Sequence, residues 1–249
     1  MVGWKTFFKM TSNDFKTYHE QEKKWGDFNP IKFVLESEEI YSVGLYGMPS
    51  EGSEIKGSSP RIACPVGTQL RITVKLIFFM DAGTPTSCEG AIFIFPHKNG
   101  ELASDAGYGA TFPVKRTPSV NTAEFHEFIV EMDGGQLTIT LDEYKFAPVP
   151  LKAPVQSFDF LIALRRYYVA SESAEKPVEN PAEPQQQDGF ALAIYEITGE
   201  YYDQWEDLFN MITQILYISM FIMFGVMVVT MIIRMFRSKK RRGEMTGGE

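Results

Sequence analysis

The 249 residues carry a net charge of −8, with 44% hydrophobic and 22% charged residues. That balance excludes a wholly disordered chain, and two Cys exclude a disulfide-stapled miniprotein. The acidity excludes nucleic acid as the partner of the whole chain.

Residues 1–29 read as an N-terminal polar segment, with a short polar helix predicted within 12–24. Residues 30–202 read as β-structure. The clearest strand is 69–80. There Leu70, Ile72, Val74, Leu76, Phe78 and Met80 alternate with Arg71, Thr73 and Lys75, a period of two that no helix uses. The second face turns apolar at Ile77 and Phe79, so that end is expected to be covered on both sides. Further strands are predicted at 31–36, 40–46, 91–96, 125–132, 136–146, 157–169 and 190–202. Phe128, Val130 and Met132 match Leu137, Ile139 and Leu141 across Asp133-Gly134-Gly135, which is a hairpin signal. Some eight strands with turns between them, and no βαβ alternation, give an all-β fold: a two-sheet antiparallel jelly-roll sandwich over 30–202. Within it, residues 171–188 hold three Pro and four Glu but one apolar side chain larger than Ala, Val178. That composition predicts a disordered acidic insertion between two strands.

Motifs for chemistry are sparse. Cys64 precedes the 69–80 strand and Cys88 follows it. The strand separates its ends by about 35 Å, against about 7 Å for a disulfide, so two free thiols are expected. His19, His97 and His126 have no metal-ligand spacing, and no cofactor is implied. Glu131 and Asp133, two apart on a strand, raise a paired-carboxylate hydrolase. Asp133 opens a hairpin and no third carboxylate follows at the expected spacing, so no enzyme is expected.

The order of elements over 69–146 resembles a galectin-type jelly roll, a pattern that concanavalin-like sandwiches share. The carriers are the Leu70–Met80 alternation, Gly90-Ala91-Ile92-Phe93-Ile94-Phe95, then His97-Lys98-Asn99, and the pair Glu124–Val130 and Gly135–Leu141. The resemblance implies a β-sandwich, and it puts His97 and Asn99 in the His-x-Asn part of a galactoside motif. Glu101 stands at the spacing of the motif Arg, and the motif's Trp element is missing between 102 and 124. If the ligand is a glycan, His97, Asn99, Glu101 and Arg116 are the expected ligand-binding residues.

Residues 208–233 contain no charge, enough for a helix to cross a hydrocarbon core of about 30 Å. The juxtamembrane region and this helix occupy 203–236, and 237–249 form a basic tail. Asn210 and Gln214, four apart on one helical face, are expected to pack against another helix. Acidic residues precede the span. Arg234, Arg237, Lys239, Lys240, Arg241 and Arg242 follow it and are the topology-setting residues. They favour a cytosolic tail with the head outside the cell or in a lumen. Residues 1–30 show no signal-peptide run, so this topology expects a signal upstream of Met1. The competing topology is a tail anchor, mitochondrial or peroxisomal, with a cytosolic head. The expected function is a membrane-anchored binding or assembly module, a lectin-like head or an accessory subunit of a membrane complex. Its expected partners are membrane lipid, another membrane chain and a glycan. The alternative is a cytosolic adaptor that recruits partners through its acidic insertion.

Overall fold

The computed structural model describes residues 4–65, 69–133, 135–169 and 189–245, the side chains of 204–207 and 238–245 excepted. The predicted insertion at 171–188 lies outside the described residues. Two units result, a head, Trp4–Tyr202, and a C-terminal unit from Asp203 onward.

In chain order the head contains β1 (Trp4–Met10), α1 (Ser12–Glu20), β2 (Asn29–Leu35), β3 (Glu38–Gly47), β4 (Ser53–Ser58), β5 (Ile62–Ala63), β6 (Leu70–Met80) and β7 (Cys88–Lys98). Then follow β8 (Glu101–Leu102), β9 (Tyr108–Pro113), β10 (Thr122–Asp133), β11 (Gln136–Leu141), β12 (Tyr144–Lys145), β13 (Val149–Pro150), β14 (Ser157–Arg166) and β15 (Phe190–Tyr202). They make two antiparallel sheets, a jelly-roll-like sandwich. The larger runs β12-β11-β10-β6-β15-β3-β2, with β1 continuing beside β15 and β13 beside β11. The smaller runs β4-β14-β7-β8, with β5 beside β14 and β9 beside β7.

The period-two pattern explains the core. Leu70, Ile72, Val74, Leu76, Phe78 and Met80 all face the other sheet and are buried. Phe158, Phe160, Ile162 and Leu164 of β14 meet them from the smaller sheet, all at 0% exposure. Burying a side chain of this size removes it from water at a gain of about 1.5–3 kcal/mol. The 133–136 hairpin has the register its sequence implies, with Phe128 opposite Leu141, Val130 opposite Ile139 and Met132 opposite Leu137.

Residues 4–29 differ from expectation. They are part of the head, and not a separate polar segment. The Asp14 carboxylate accepts the Thr11 backbone N–H at 2.7 Å and its hydroxyl at 2.8 Å, which starts α1. That helix buries Phe15 completely against Trp25. A single buried aromatic on a polar helix is a weak periodic signal, and it is enough here because Trp25 and Phe28 complete the patch.

In the second unit, α2 (Gln204–Met245) carries a stretch, Leu208–Arg237, long and apolar enough to cross a bilayer. The helix continues past the expected start of the basic tail at 237 as far as Met245.

Candidate functional site

The outer face of the larger sheet is divided in two. At one end, charged side chains neutralise one another. Arg71 donates from Nε (3.0 Å) and Nη2 (2.8 Å) to one oxygen of Glu131, and Lys75 donates to Glu196 at 3.0 Å. The Arg71 guanidinium also lies 4.5 Å from the centre of the Trp4 ring.

The other end is apolar, where Ile77 and Phe79 had marked a second covered face. Strand register puts Ile77 beside Ala193 and Phe125, and Phe79 beside Ala191 and Ala123. Ala191, Ala193 and Ile77 form a floor at 0% exposure. The β2–β3 hairpin comes back over that floor. Its Phe33 is buried, with its ring centre 5.4 Å from that of Phe79. Small residues permit this approach. A Cβ on Gly44 would stand 2.3 Å from the Leu192 carbonyl oxygen, so only glycine lets β3 close on β15 there. The hairpin turns at Glu36 and Ser37, whose φ values of 48° and 75° are both left-handed.

Between the hairpin and β10 lies an open groove of about 940 Å³. Its walls carry Phe33 and Leu35 on one side and Phe79 and Phe125 on the other. Phe125 is 50% exposed and Tyr46, at the rim, 52%. Phe125 is held edge-on to Tyr195, at 5.9 Å and 89°. Burial pushes the Tyr195 phenol up from its ordinary pKa, so it stays protonated. Polar groups converge on the same rim. The Tyr46 hydroxyl donates to Asp81 at 2.7 Å, and Asp81 also accepts the Gly189 N–H at 2.9 Å. Asn121, which also lines the groove, accepts the Ala82 N–H through Oδ1 at 3.0 Å. Half-exposed rings flanking a fixed carboxylate and an amide can stack on one face of a ligand and hydrogen-bond its edge.

The residues expected from sequence lie elsewhere: His97, Asn99 and Glu101 share the end of β7 and its turn into β8, and Arg116 lies apart from them. His97 is in β7 of the smaller sheet, 7% exposed, with Nε2 3.0 Å from Asp159 and Nδ1 buried without a hydrogen-bond partner. Asn99, at φ 51°, forms the tight β7–β8 turn, with Glu101 exposed just beyond it. Arg116 follows Val114, whose N–H bonds Cys88 at the opposite end of β7. Nine residues of strand at about 3.3 Å each separate it from His97, roughly 30 Å. Of the paired carboxylates, Glu131 is committed to Arg71, and Asp133 is exposed at the strand end. Among the described residues no three His, Cys, Asp or Glu side chains converge as metal ligands. Both cysteines are free and buried, and burial pushes the Cys64 thiol up to about 12. On α2, Asn210, Gln214, Arg234 and Arg237 are exposed. Lys239, Lys240, Arg241 and Arg242 lie on the same helix, with their side chains outside the description.

Sequence reasoning missed the groove residues as a site. The signal was present in the doubly apolar end of β6 and in the Ile31-x-Phe33-x-Leu35 alternation, but no local motif says that these two stretches face each other.

No protein-family model matches the chain, and no curated protein is similar to it in sequence. Its structural neighbours are proteins of concanavalin A-like lectin and glucanase fold, glycosidases and lectins alike. One is the catalytic domain of a laminarinase from Thermotoga petrophila, at 9% identity and a TM-score of 0.39, covering 82% of this chain and 100% of that one. Another is the Emp46p carbohydrate recognition domain, at 9% identity and a TM-score of 0.36, covering 70% and 88%. A sialidase matches at 11% identity and a TM-score of 0.34, and there this chain's match spans 16% of the other chain's length. The assignment of the fold rests on the sheet topology itself.

Proposed function

We propose that the protein is a membrane-anchored recognition module whose head binds a glycan in the groove between the β2–β3 hairpin and β10. The observation that carries this reading is the open groove itself. It has the exposed rings of Phe125 and Tyr46 beside the Asp81 carboxylate and the Asn121 amide. A sugar ring has an apolar face for stacking and an edge of hydroxyls for such polar groups. The reading is one of binding: Glu131 is held by Arg71 and Asp81 by Tyr46 and Gly189, and Glu36 and Glu38 add further acceptors to the groove lining. In this reading α2 spans the membrane. Its basic C-terminal flank faces the cytosol, the head faces the exterior or a lumen, and the chain serves as the recognition or accessory subunit of a membrane complex.

The test is an oligosaccharide array probed with the full chain in detergent micelles, beside Phe125→Ala. Binding to a defined glycan class, weakened about tenfold by the variant, is expected. No binding across the array, or binding that Phe125→Ala leaves intact, refutes the glycan reading. Protease treatment of intact vesicles tests the orientation. A protected head agrees with it, and a digested head favours the tail-anchored topology.

A further inference from the structure

Six polar side chains interrupt the apolar stretch of α2, and they divide into two groups. Thr213, Ser219 and Thr230 satisfy themselves. Their hydroxyls donate to the carbonyls of Phe209 (2.7 Å), Ile215 (2.9 Å) and Val226 (2.7 Å), one helical turn back. Asn210, Gln214 and Tyr217 are exposed and have no hydrogen-bond partner among the described residues. At 100° per residue these three fall within an arc of about 60°, while Ser219 and Thr230 lie on the opposite side. The same stripe continues at alternating steps of four and three through Phe221, Phe224, Val228 and Met231, the spacing of a helix–helix seam.

The division has a physical cause. A hydroxyl is short and shares a carbonyl already used by the backbone. A carboxamide has two donor hydrogens and an acceptor oxygen to satisfy, and in hydrocarbon no water supplies partners. The uncharged stretch rises about 39 Å against a core of about 30 Å, so Asn210 falls at the edge, while lipid tails cannot cover Gln214 and Tyr217 without leaving their polar groups unmade.

We propose that a second copy of this chain packs along the Asn210–Gln214–Tyr217 stripe, forming a parallel pair. The proposal rests on reading α2 as a span. Copies inserted in one membrane run in the same direction at the same depth. A two-fold axis along the bilayer normal then sets each residue against its own counterpart. That arrangement repels like charges, but it suits a carboxamide, which is donor and acceptor at once. The Gln214 amide of one copy donates to the Gln214 oxygen of the other, and the reverse. Asn210 and Tyr217 repeat the contact one turn to either side, and Phe221 and Phe224 continue it as apolar packing.

The full chain in lipid bilayers tests this in two ways. Energy transfer between donor- and acceptor-labelled copies, followed over protein-to-lipid ratio, measures association. Gln214→Leu is expected to weaken it about threefold to tenfold, and Gln214→Asn to retain most of it. Oxidative cross-linking locates the seam. Tyr217→Cys, Phe221→Cys and Phe224→Cys are expected to form disulfide-linked dimers, and Ser219→Cys, Met223→Cys and Val226→Cys to remain monomeric. Transfer no greater than chance, association indifferent to Gln214→Leu, or cross-links peaking at 219, 223 and 226 overturns the proposal. So does a different protein seated on the stripe. Alkaline extraction of the same membranes separates this failure from that of the span. A chain retained in the bilayer yet monomeric defeats the pairing alone, and a chain released into the aqueous phase defeats the span as well.

Discussion

Both sheets of the head carry aromatic side chains on their outer faces, and among the described residues these are covered to different extents. On the smaller sheet Phe93 lies under the Arg165 guanidinium, 5.5 Å from its ring centre, and Phe95 lies against Gly107, where an added Cβ would stand 2.4 Å from the ring. The segment after β8 thus covers its face. On the larger sheet the covering hairpin stops short of β10, and Phe125 and Tyr46 are half exposed on either side of the gap. Exposed apolar patches rimmed by polar groups mark candidate ligand sites, and this difference between the faces is what the proposed reading rests on.

The contrast can be broken from either side. The largest effect is expected on the closed face. Gly107→Val must push the Phe95 ring away, at a cost of about 1–3 kcal/mol in chemical denaturation followed by fluorescence of the buried Trp25. On the open face the hairpin turn is the strained element. Replacing Glu36 and Ser37 together by Asn and Gly, the residues that a left-handed pair prefers, is expected to raise stability by about 1 kcal/mol in the same assay. Phe125→Ala removes a half-exposed ring, so its stability loss should stay under about 1 kcal/mol while glycan binding falls. A larger loss would make Phe125 a core residue and not a contact.

The smallest effect lies outside both faces, at Asp142. Burial pushes this carboxyl up, but the hydrogen bonds from His126 and from the Glu127 N–H outweigh it and hold its pKa below the ordinary value. A lowered folded-state pKa stabilises above the unfolded value of about 3.9 and is lost as pH falls through the folded one. Asp142→Asn keeps a side chain suited to φ 53° but removes that charge. The gap in melting temperature between the two proteins should therefore be open at pH 6 and shrink below about pH 4.

How much of this is legible without coordinates follows from range. The core strands are written locally, in the alternation of Leu70–Met80 and of Phe158, Phe160, Ile162 and Leu164, and the 133–136 hairpin carries its own register. The strand Trp4–Met10 is not legible, because it forms by pairing with residues 197–202 at the far end of the head's sequence. The site fails for the same reason. His97-x-Asn99 is a local pattern and catches the eye, but its histidine is buried against Asp159. The groove joins residues near 33, 79 and 125, and only the closure of the larger sheet places them together.

Finally, β15 ends at Tyr202 and α2 begins at Gln204. The anchor therefore continues directly from a strand bonded to β6 along one edge and to β3 and β1 along the other. Whatever load the C-terminal helix transmits thus enters the head through a strand gripped on both edges, and not through a free terminal strand that could peel away one bond at a time.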